Sequence, residues 1–283
     1  MFSRCFLYKR IRCEVGDKRD MNLEIIYEDN DIILCRKPAG VATQTKRLGQ
    51  QDMESLLKNY RAKKGETPYI GVVHRLDQPV EGLMVFAKNQ KAAAGLSKQI
   101  QSHMIGKHYY AVSAGVPEEQ EGLLEDYLVT DKKTNYTSVV EGQTSLMREG
   151  ARQREVSVEK ERNIKRENIK KAILEYKVLS QNDQGTLFDI LLHTGRQHQI
   201  RVQMAHMGCP LVGDEKYGDA VSGERIIGGG FTEGNERSHK MEDNLCKNKK
   251  KVLMLCSYRL EFAHPITGKK MDYSIQPDWA CSV

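Results

Sequence analysis

Asp77 is a single carboxylate in a polar loop between two short apolar runs. The runs are Gly71–Val73 and Leu83–Ala87, which have the length and composition of β-strands. Pro79 and Gly82 mark the connection as a loop, because neither residue suits the interior of a regular element. A lone acid presented on a loop by two strands is a common way to build a reactive site, although many such loops are only solvated turns.

A second polar group, His193–Arg201, directly follows the apolar run Thr186–Leu192. The order of residue types predicts a strand, a tight turn and the start of a helix, because Thr194 and Gln197 have the spacing of a capping box. Arg196 would then lie in the first helical turn, where the unpaired backbone N–H groups already favour anions. A cation there is unfavourable for the helix alone, so we predict that Arg196 meets a carboxylate or a phosphate.

These two groups need a scaffold, and the hydrophobic pattern predicts one that combines strands and helices. Strand patterns occur at Leu23–Tyr27, Ile32–Cys35, Lys107–Ser113, Ala172–Leu179, Thr186–Leu192 and Val252–Phe262. Helical patterns occur at Gln51–Lys64 and, after the N-cap residue Asn89, at Gln90–Met104. Residues 141–171 are predicted to be exposed and mixed in charge, and residues 218–251 to be a mobile insertion.

The composition is that of a globular protein whose charge favours an acidic partner. The 283 residues are enough for one large domain or two subdomains, and no apolar run approaches the roughly 18 residues that span a bilayer. The formal net charge of +6 favours a partner such as nucleic acid without requiring one. The seven cysteines form no C-x-x-C pair, which argues against a zinc module or a secreted disulfide framework and indicates reduced thiols in the cytosol.

Together with its neighbours, the Asp77 loop resembles the catalytic motif of the RluA family of pseudouridine synthases. The matching residues are His74–Asp77 followed by Gly82–Lys88. Further stretches match the family in the same order along the chain. They are Ile26–Asp29, Lys37–Gly40, Lys107–Tyr109, His193–Arg201, Ala205–Gly208, Gly213–Gly218 and Leu260–Pro265. The resemblance therefore covers most of the chain.

The resemblance implies an α+β pseudouridine synthase fold, with a mixed, largely antiparallel central sheet flanked by helices and an RNA-binding cleft. It also implies that a uridine in ribosomal or transfer RNA is converted to pseudouridine, with no metal or organic cofactor. The base is detached, rotated and rejoined through carbon. By motif position Asp77 is the catalytic carboxylate. We predict that Arg196 pairs with Asp77 and stabilises its charge, and that Tyr109 places its ring against the target uracil.

The resemblance and the charge pattern also indicate a set of RNA-binding residues. They are His74, Arg75, Lys88, Lys107, His198 and Arg201. His74 and Arg75 are predicted to contact a phosphate or to stack near the position that a flipped base vacates, with a loop-bracing salt bridge as the alternative. The lysines and the second arginine are candidates for the phosphate backbone, or they are simply solvated. His193, His198 and His206 match no zinc spacing, and we predict structural or RNA-facing roles for them.

Two features depart from the family pattern. The usual Thr-Ser after the catalytic loop is replaced by Val80-Glu81. We expect Glu81 to point outward, the alternative being that it adjusts the charge around the bound RNA. The S4 domain that often precedes this catalytic domain does not fit into residues 1–20, so we expect RNA to bind through the catalytic face and the loops at 141–171 and 218–251.

We predict that residues 1–20 are a poorly ordered extension or follow a misplaced start, with a transit peptide as the alternative. Residues 21–283 are predicted to form one catalytic domain of a cytoplasmic monomer. Two other functions remain open. The first is that of a non-catalytic RNA-binding or ribosome-assembly protein that retains the fold. The presence of Asp77, Tyr109 and Arg196 together argues against it. The other is a small-molecule hydrolase built on an Asp–His–Arg cluster, which the absence of a nucleophilic Ser or Cys motif disfavours.

Overall fold

A computed structural model of the chain describes residues 23–45, 47, 49–140, 168–218 and 252–281. Its strands are β1 (Glu24–Glu28), β2 (Ile32–Lys37), β3 (Gly71–Val72), β4 (Glu81–Ala87), β5 (Gly106–Ser113), β6 (Glu121–Asp131), β7 (Tyr136–Val139), β8 (Lys170–Asn182), β9 (Gly185–Leu192), β10 (Leu255–Ala263) and β11 (Lys270–Ser274). Its helices are α1 (Met53–Lys63), α2 (Gln90–Gln101) and α3 (Gln199–His206), and a 3₁₀ helix covers Asp278–Cys281. No helix within these ranges is long and apolar enough to cross a membrane.

All the strands belong to one sheet in the order β1-β2-β4-β10-β5-β9-β8-β6-β7, with β3 added to β4 and β11 added to β10. Only the pairing of β10 with β4 is parallel among the described strands. The prediction of a mixed, largely antiparallel sheet is therefore confirmed. The predicted extension at residues 1–20 lies outside the described residues, as do nearly all of the insertion at 218–251 and most of the stretch at 141–171.

The sheet buries both of its faces in the half that contains β4. Met84 and Phe86 belong to one core cluster, which includes residues of α1. Leu83 and Val85 belong to a second core cluster, which includes residues of α2. Successive side chains of a strand alternate between the faces of a sheet, so a strand covered on both sides needs apolar residues throughout. This explains the continuous apolar run Leu83–Ala87.

The helix that follows Asn89 is shorter than its sequence pattern predicts. Asn89 caps α2 as expected, since its side chain accepts a hydrogen bond from the backbone N–H of Ala92 at 2.9 Å. The helix nevertheless ends at Gln101, and His103 takes a left-handed conformation with φ of 55°, which an α-helix cannot accommodate. Met104 was expected on the buried face and is 60% exposed instead.

Candidate active site

Lys37 and Thr43 fix the loop that carries Asp77, which connects β3 to β4. The side chain of Lys37 is completely buried, and its Nζ donates to three backbone carbonyl groups, including that of Gln78 at 3.1 Å. Burial lowers the pKa of Lys37 to about 8, although the negative charge of Asp77 opposes this effect. On the other side of Asp77, the hydroxyl of Thr43 donates to the carbonyl of Leu76 at 3.0 Å. The backbone is thus anchored immediately before and immediately after Asp77.

His74 anchors the same loop to the sheet. Its Nε2 accepts a hydrogen bond from the backbone N–H of Val85 in β4 at 3.0 Å. Burial lowers the pKa of His74 to about 4, and the positive charge of Lys107 acts in the same direction. A neutral imidazole that braces the loop does not agree with the alternative of a salt bridge. A contact of His74 with the phosphate, or stacking near the vacated position, stays a prediction. Arg75, by contrast, is exposed and free to reach a ligand.

The Asp77 carboxylate faces Arg201 and His198. Its side chain is 28% exposed, and its Oδ2 lies 3.5 Å from Nη1 of Arg201 and 3.9 Å from Nε2 of His198. The other side of the Arg201 guanidinium forms two hydrogen bonds with Asp214, from Nε to Oδ2 at 2.7 Å and from Nη2 to Oδ1 at 2.6 Å. The buried carboxylate of Asp214 therefore holds the Arg201 guanidinium in place, and this guanidinium faces the partly exposed carboxylate of Asp77.

Burial alone would raise the pKa of Asp214, but the hydrogen bonds and charge of Arg201 outweigh this effect and lower it. For Arg201, burial acts to lower the pKa, and the two carboxylates Asp214 and Asp77 raise it overall. Arg201 is thus a permanent cation whose position is set by the fold. A fixed cation beside a reactive carboxylate can stabilise negative charge without the reorganisation that water would need.

The turn before α3 differs from the predicted one. His198, not Thr194, is the N-cap residue; it has a left-handed φ of 54° and makes no side-chain capping hydrogen bond. The predicted capping box between Thr194 and Gln197 is therefore wrong. Instead, the side-chain oxygen of Gln199 accepts hydrogen bonds from the hydroxyl of Thr194 at 2.8 Å and from the backbone N–H of Arg196 at 2.9 Å.

Because the helix starts at Gln199, Arg196 lies before it and not in its first turn. The Nε of Arg196 donates to the carbonyl of Lys171 at 2.9 Å, and the structure places Arg201, not Arg196, against Asp77. Our prediction of the ion pair is corrected accordingly. Burial lowers the pKa of Lys107, and the charge of Arg196 adds to this shift, so these two cations lie near each other.

Tyr109 lies on β5 and is buried in the core cluster that includes α1. Burial raises the pKa of its hydroxyl, and the negative charge of Asp77 adds to this shift. The structure thus brings Tyr109 within electrostatic range of Asp77, as the motif order implied. At neutral pH its hydroxyl retains its proton.

Lys88 and Glu81 face partners inside the fold. The buried ammonium of Lys88 lies 2.8 Å from a carboxylate oxygen of Glu28 and 3.0 Å from one of Glu66, so we leave it out of the proposed RNA-binding set. Glu81 was expected to point outward. Instead it accepts hydrogen bonds from Nη2 of Arg36 and from the indole N–H of Trp279, both at 2.8 Å, because it starts the buried strand β4.

Asp29, Asp31 and His264 form the group of potential metal ligands found among the described residues. Nδ1 of His264 accepts hydrogen bonds from two backbone N–H groups, and Nε2 lies 2.9 Å from Oδ2 of Asp29. The other oxygen of Asp29 accepts from the backbone N–H groups of Asp31 and Ile32. These hydrogen bonds connect the β1–β2 turn to the turn after β10, and a metal ion would have to break them.

Sequence reasoning assigned no role to Asp214 or Tyr217, although both belong to the matched stretch Gly213–Gly218. The Tyr217 hydroxyl lies 2.8 Å from Nδ1 of His198, and the Cζ atom of Arg201 lies 5.1 Å from the centre of the Tyr217 ring. The sequence signal that could have indicated a role for them is an acid and an aromatic residue three positions apart within this stretch. Their partners could not be inferred, since pairing depends on the fold.

Comparisons with known proteins give a consistent result. Residues 31–206 match the family model described as RNA pseudouridylate synthase. The dual-specificity RNA pseudouridine synthase RluA of Vibrio vulnificus is 34% identical over 203 residues, which cover 70% of this chain and 71% of that protein. The ribosomal large subunit pseudouridine synthase D of Pseudomonas aeruginosa is 31% identical over 257 residues, which cover 90% and 68%.

An uncharacterized RNA pseudouridine synthase of Bacillus subtilis, YhcT, is 32% identical over 201 residues, and this chain spans 58% of its length. Among solved structures, human RNA pseudouridylate synthase domain containing 4 superposes with a TM-score of 0.61 at 20% identity, over 90% of this chain and 89% of that one. This structural likeness supports the same fold.

Proposed function

The chain belongs to the RluA family of RNA pseudouridine synthases, and we propose that Asp77 is the carboxylate with which it isomerises uridine. The observation that carries this proposal is the position of Asp77. It is partly exposed on a loop anchored at both ends, and it faces the guanidinium of Arg201 at 3.5 Å. Arg201 takes the role that we had predicted for Arg196.

In the reaction, the bond between C1′ of the ribose and N1 of the uracil breaks, and a bond from C1′ to C5 forms. The proton leaves C5, and N1 acquires one, so the product is an isomer of the substrate. One carboxylate acts as the nucleophile at the sugar or base, or as the proton acceptor at the sugar. Asp77 has this task, and Arg201 stabilises the negative charge of its carboxylate before and after the step.

Tyr109 places its ring against the uracil. The effect of the Asp77 charge on its hydroxyl and the proton that this hydroxyl retains support this role. The target uridine has to leave its stack to reach a carboxylate set in a loop, as in other enzymes that act on bases. Exposed Arg75, two residues before Asp77, is then placed to contact the phosphate or the vacated position.

The substrate is a ribosomal or transfer RNA, and the protein works in the cytosol. Three cations support an RNA-binding surface around the site: Arg75 is exposed, and Lys107 and Arg196 are partly exposed. Phosphate contacts release counterions, so we expect affinity to fall steeply with salt and to depend little on bases outside the target loop.

The test of this function is pseudouridine mapping of total RNA from a strain that lacks the gene, complemented with the wild type or with Asp77→Asn. We expect one or more positions to lose pseudouridine in the deletion and to regain it only with the wild type. If no position changes, the proposed isomerase activity fails and the non-catalytic RNA-binding protein becomes the better account. Covalent trapping by RNA that contains 5-fluorouridine distinguishes these two functions independently.

A further inference from the structure

We propose that Tyr217 is a positioning residue for Asp77: its hydroxyl determines which ring nitrogen of His198 carries the proton, and its ring supports Arg201. This inference rests on the proposed function of Asp77 and adds to it. Tyr217 is 4% exposed and contacts both residues that face the carboxylate. It does not contact the reacting base itself in this account.

The Tyr217 hydroxyl has two hydrogen-bond partners, Thr137 and His198. Its oxygen accepts a hydrogen bond from the backbone N–H of Thr137 in β7 at 3.0 Å. A phenol has one proton to donate, and a buried hydroxyl requires a partner for it. Nδ1 of His198 lies 2.8 Å away and can accept that proton. In this arrangement the N–H of Thr137 donates to the Tyr217 oxygen, and the Tyr217 hydroxyl donates to Nδ1 of His198.

The opposite side of the His198 imidazole faces Asp77. Nε2 of His198 lies 3.9 Å from Oδ2 of Asp77, and an ionised carboxylate can only accept hydrogen bonds. The proton of the neutral ring therefore belongs on Nε2, where it faces Asp77, which leaves Nδ1 as the acceptor for Tyr217. The charged groups facing this ring are Asp77, Arg201, Lys216 and Asp214, and burial is the largest of the effects that together lower the pKa of His198.

The ring of Tyr217 contacts both Arg201 and His198. The Cζ atom of Arg201 lies 5.1 Å from its centre, and the His198 ring meets it edge-on at 5.6 Å. Asp214, which holds Arg201, also accepts the backbone N–H of Tyr217 at 3.1 Å. Within this short segment, Asp214 thus positions Arg201 and Tyr217 positions His198.

The experiment measures the ¹⁵N signals of the His198 ring in full-length protein with labelled histidine, without RNA, and compares the wild type with Tyr217→Phe. We expect Nε2 to carry the proton in the wild type, and the phenylalanine variant to show a larger share of the Nδ1-protonated form. Tyr136→Phe is the matched control, because this tyrosine packs at 4.9 Å against Tyr217 but is 43% exposed. It should leave the spectrum unchanged.

A second readout is the single-turnover rate of pseudouridine formation. Loss of one buried hydrogen bond predicts a rate about three- to tenfold lower for Tyr217→Phe. In the background of His198→Asn the same change should have no further effect, because Tyr217 acts through His198. A merely structural role would instead give equal losses in both backgrounds.

A wild-type spectrum with the proton on Nδ1, or an unchanged spectrum in Tyr217→Phe, overturns the proposal. If Tyr217→Phe does not fold, the wild-type spectrum still tests the proposal, because a proton on Nδ1 of His198 is incompatible with a hydrogen bond donated by Tyr217. If the wild type forms no pseudouridine, the proposed function fails. The protonation state of His198, measured without RNA, is tested separately.

Discussion

The guanidinium of Arg201 lies 3.5 Å from Asp77, whereas Arg196 donates to a backbone carbonyl group. Both arginines belong to the same short motif, and only the geometry distinguishes them. Arg201 is held by two hydrogen bonds to buried Asp214, so its charge is fixed at the position that Asp77 needs. The two arginines therefore have unequal roles.

Arg201→Lys should lower the single-turnover rate about 100-fold, because lysine cannot pair with Asp214 through a planar fork and face Asp77 at the same time. Arg196→Lys is the matched control and should lower the rate less than about threefold, since lysine retains the positive charge near RNA. Both rates are measured on correctly folded protein, as judged by circular dichroism. Equal losses, or a larger loss for Arg196→Lys, would contradict the assignment.

His74 should make the stability of the protein depend on pH. Its pKa is about 4 in the folded protein against an ordinary value of 6.5, so between these values the unfolded chain binds a proton that the folded chain does not. Stability should then fall as the pH decreases from 6.5 to 4, by up to about 3 kcal/mol for this group. Below pH 4 both states are protonated and this contribution stops changing.

The variant for this prediction is His74→Gln, which retains an acceptor for the N–H of Val85 but does not titrate. Urea unfolding at pH 7, 5.5 and 4 gives the free energy of unfolding for both proteins. The wild type should lose stability relative to the variant across this range. Parallel curves would show that His74 is not held neutral by the loop.

Glu81→Ser should lower stability and leave catalysis intact. Serine is one of the residue types expected at this site from the family pattern, but here Arg36 and Trp279 would lose their acceptor. We expect the free energy of unfolding to fall by about 2 kcal/mol and the rate per folded molecule to change less than about twofold. Glu54→Ser, which removes an exposed pair with Lys58 and an exposed hydrogen bond from Gln44, should cost less than about 1 kcal/mol. A large loss of rate in Glu81→Ser would instead place Glu81 in the catalytic chemistry.

Arg75 and Lys88 should differ in their effect on RNA binding. Arg75→Gln should weaken binding and reduce the slope of log affinity against log salt concentration by about one, as expected for one lost phosphate contact. Lys88→Gln should leave this slope unchanged, because its charge is used by Glu28 and Glu66. Filter binding at several salt concentrations measures both slopes. The reverse result would return Lys88 to the RNA-binding surface.

Local patterns predicted much of the scaffold but missed the strands β6, β7 and β11. The strands around Asp77, the β1–β2 hairpin and the Asn89 cap follow from alternation and from turn residues, which act over a few positions. The start of α3 was misplaced because His198 adopts a left-handed conformation that its residue type does not signal. With the helix starting at Gln199, Arg196 lies before it, and Arg201 lies within it and faces Asp77.

Contacts between distant residues could not be predicted in the same way. Lys37 is a charged residue that hydrophobic patterns place at the surface, yet its ammonium is buried among three carbonyl groups contributed by two loops. Arg201 pairs with residues 124 positions before it and 13 positions after it, and no periodicity encodes such distances. The resemblance to a family implied the chemistry, and the fold shows which of the residues meet.

The most direct test of the central claim is the release of tritium from [5-³H]uridine-labelled total RNA of the deletion strain, because formation of the new bond at C5 expels that atom. Under single-turnover conditions the wild type should release tritium. Asp77→Asn, which has nearly the same shape but no carboxylate, should release none above background while circular dichroism and RNA binding stay close to those of the wild type. Release by Asp77→Asn at a rate near that of the wild type would contradict the assignment of Asp77 as the catalytic carboxylate.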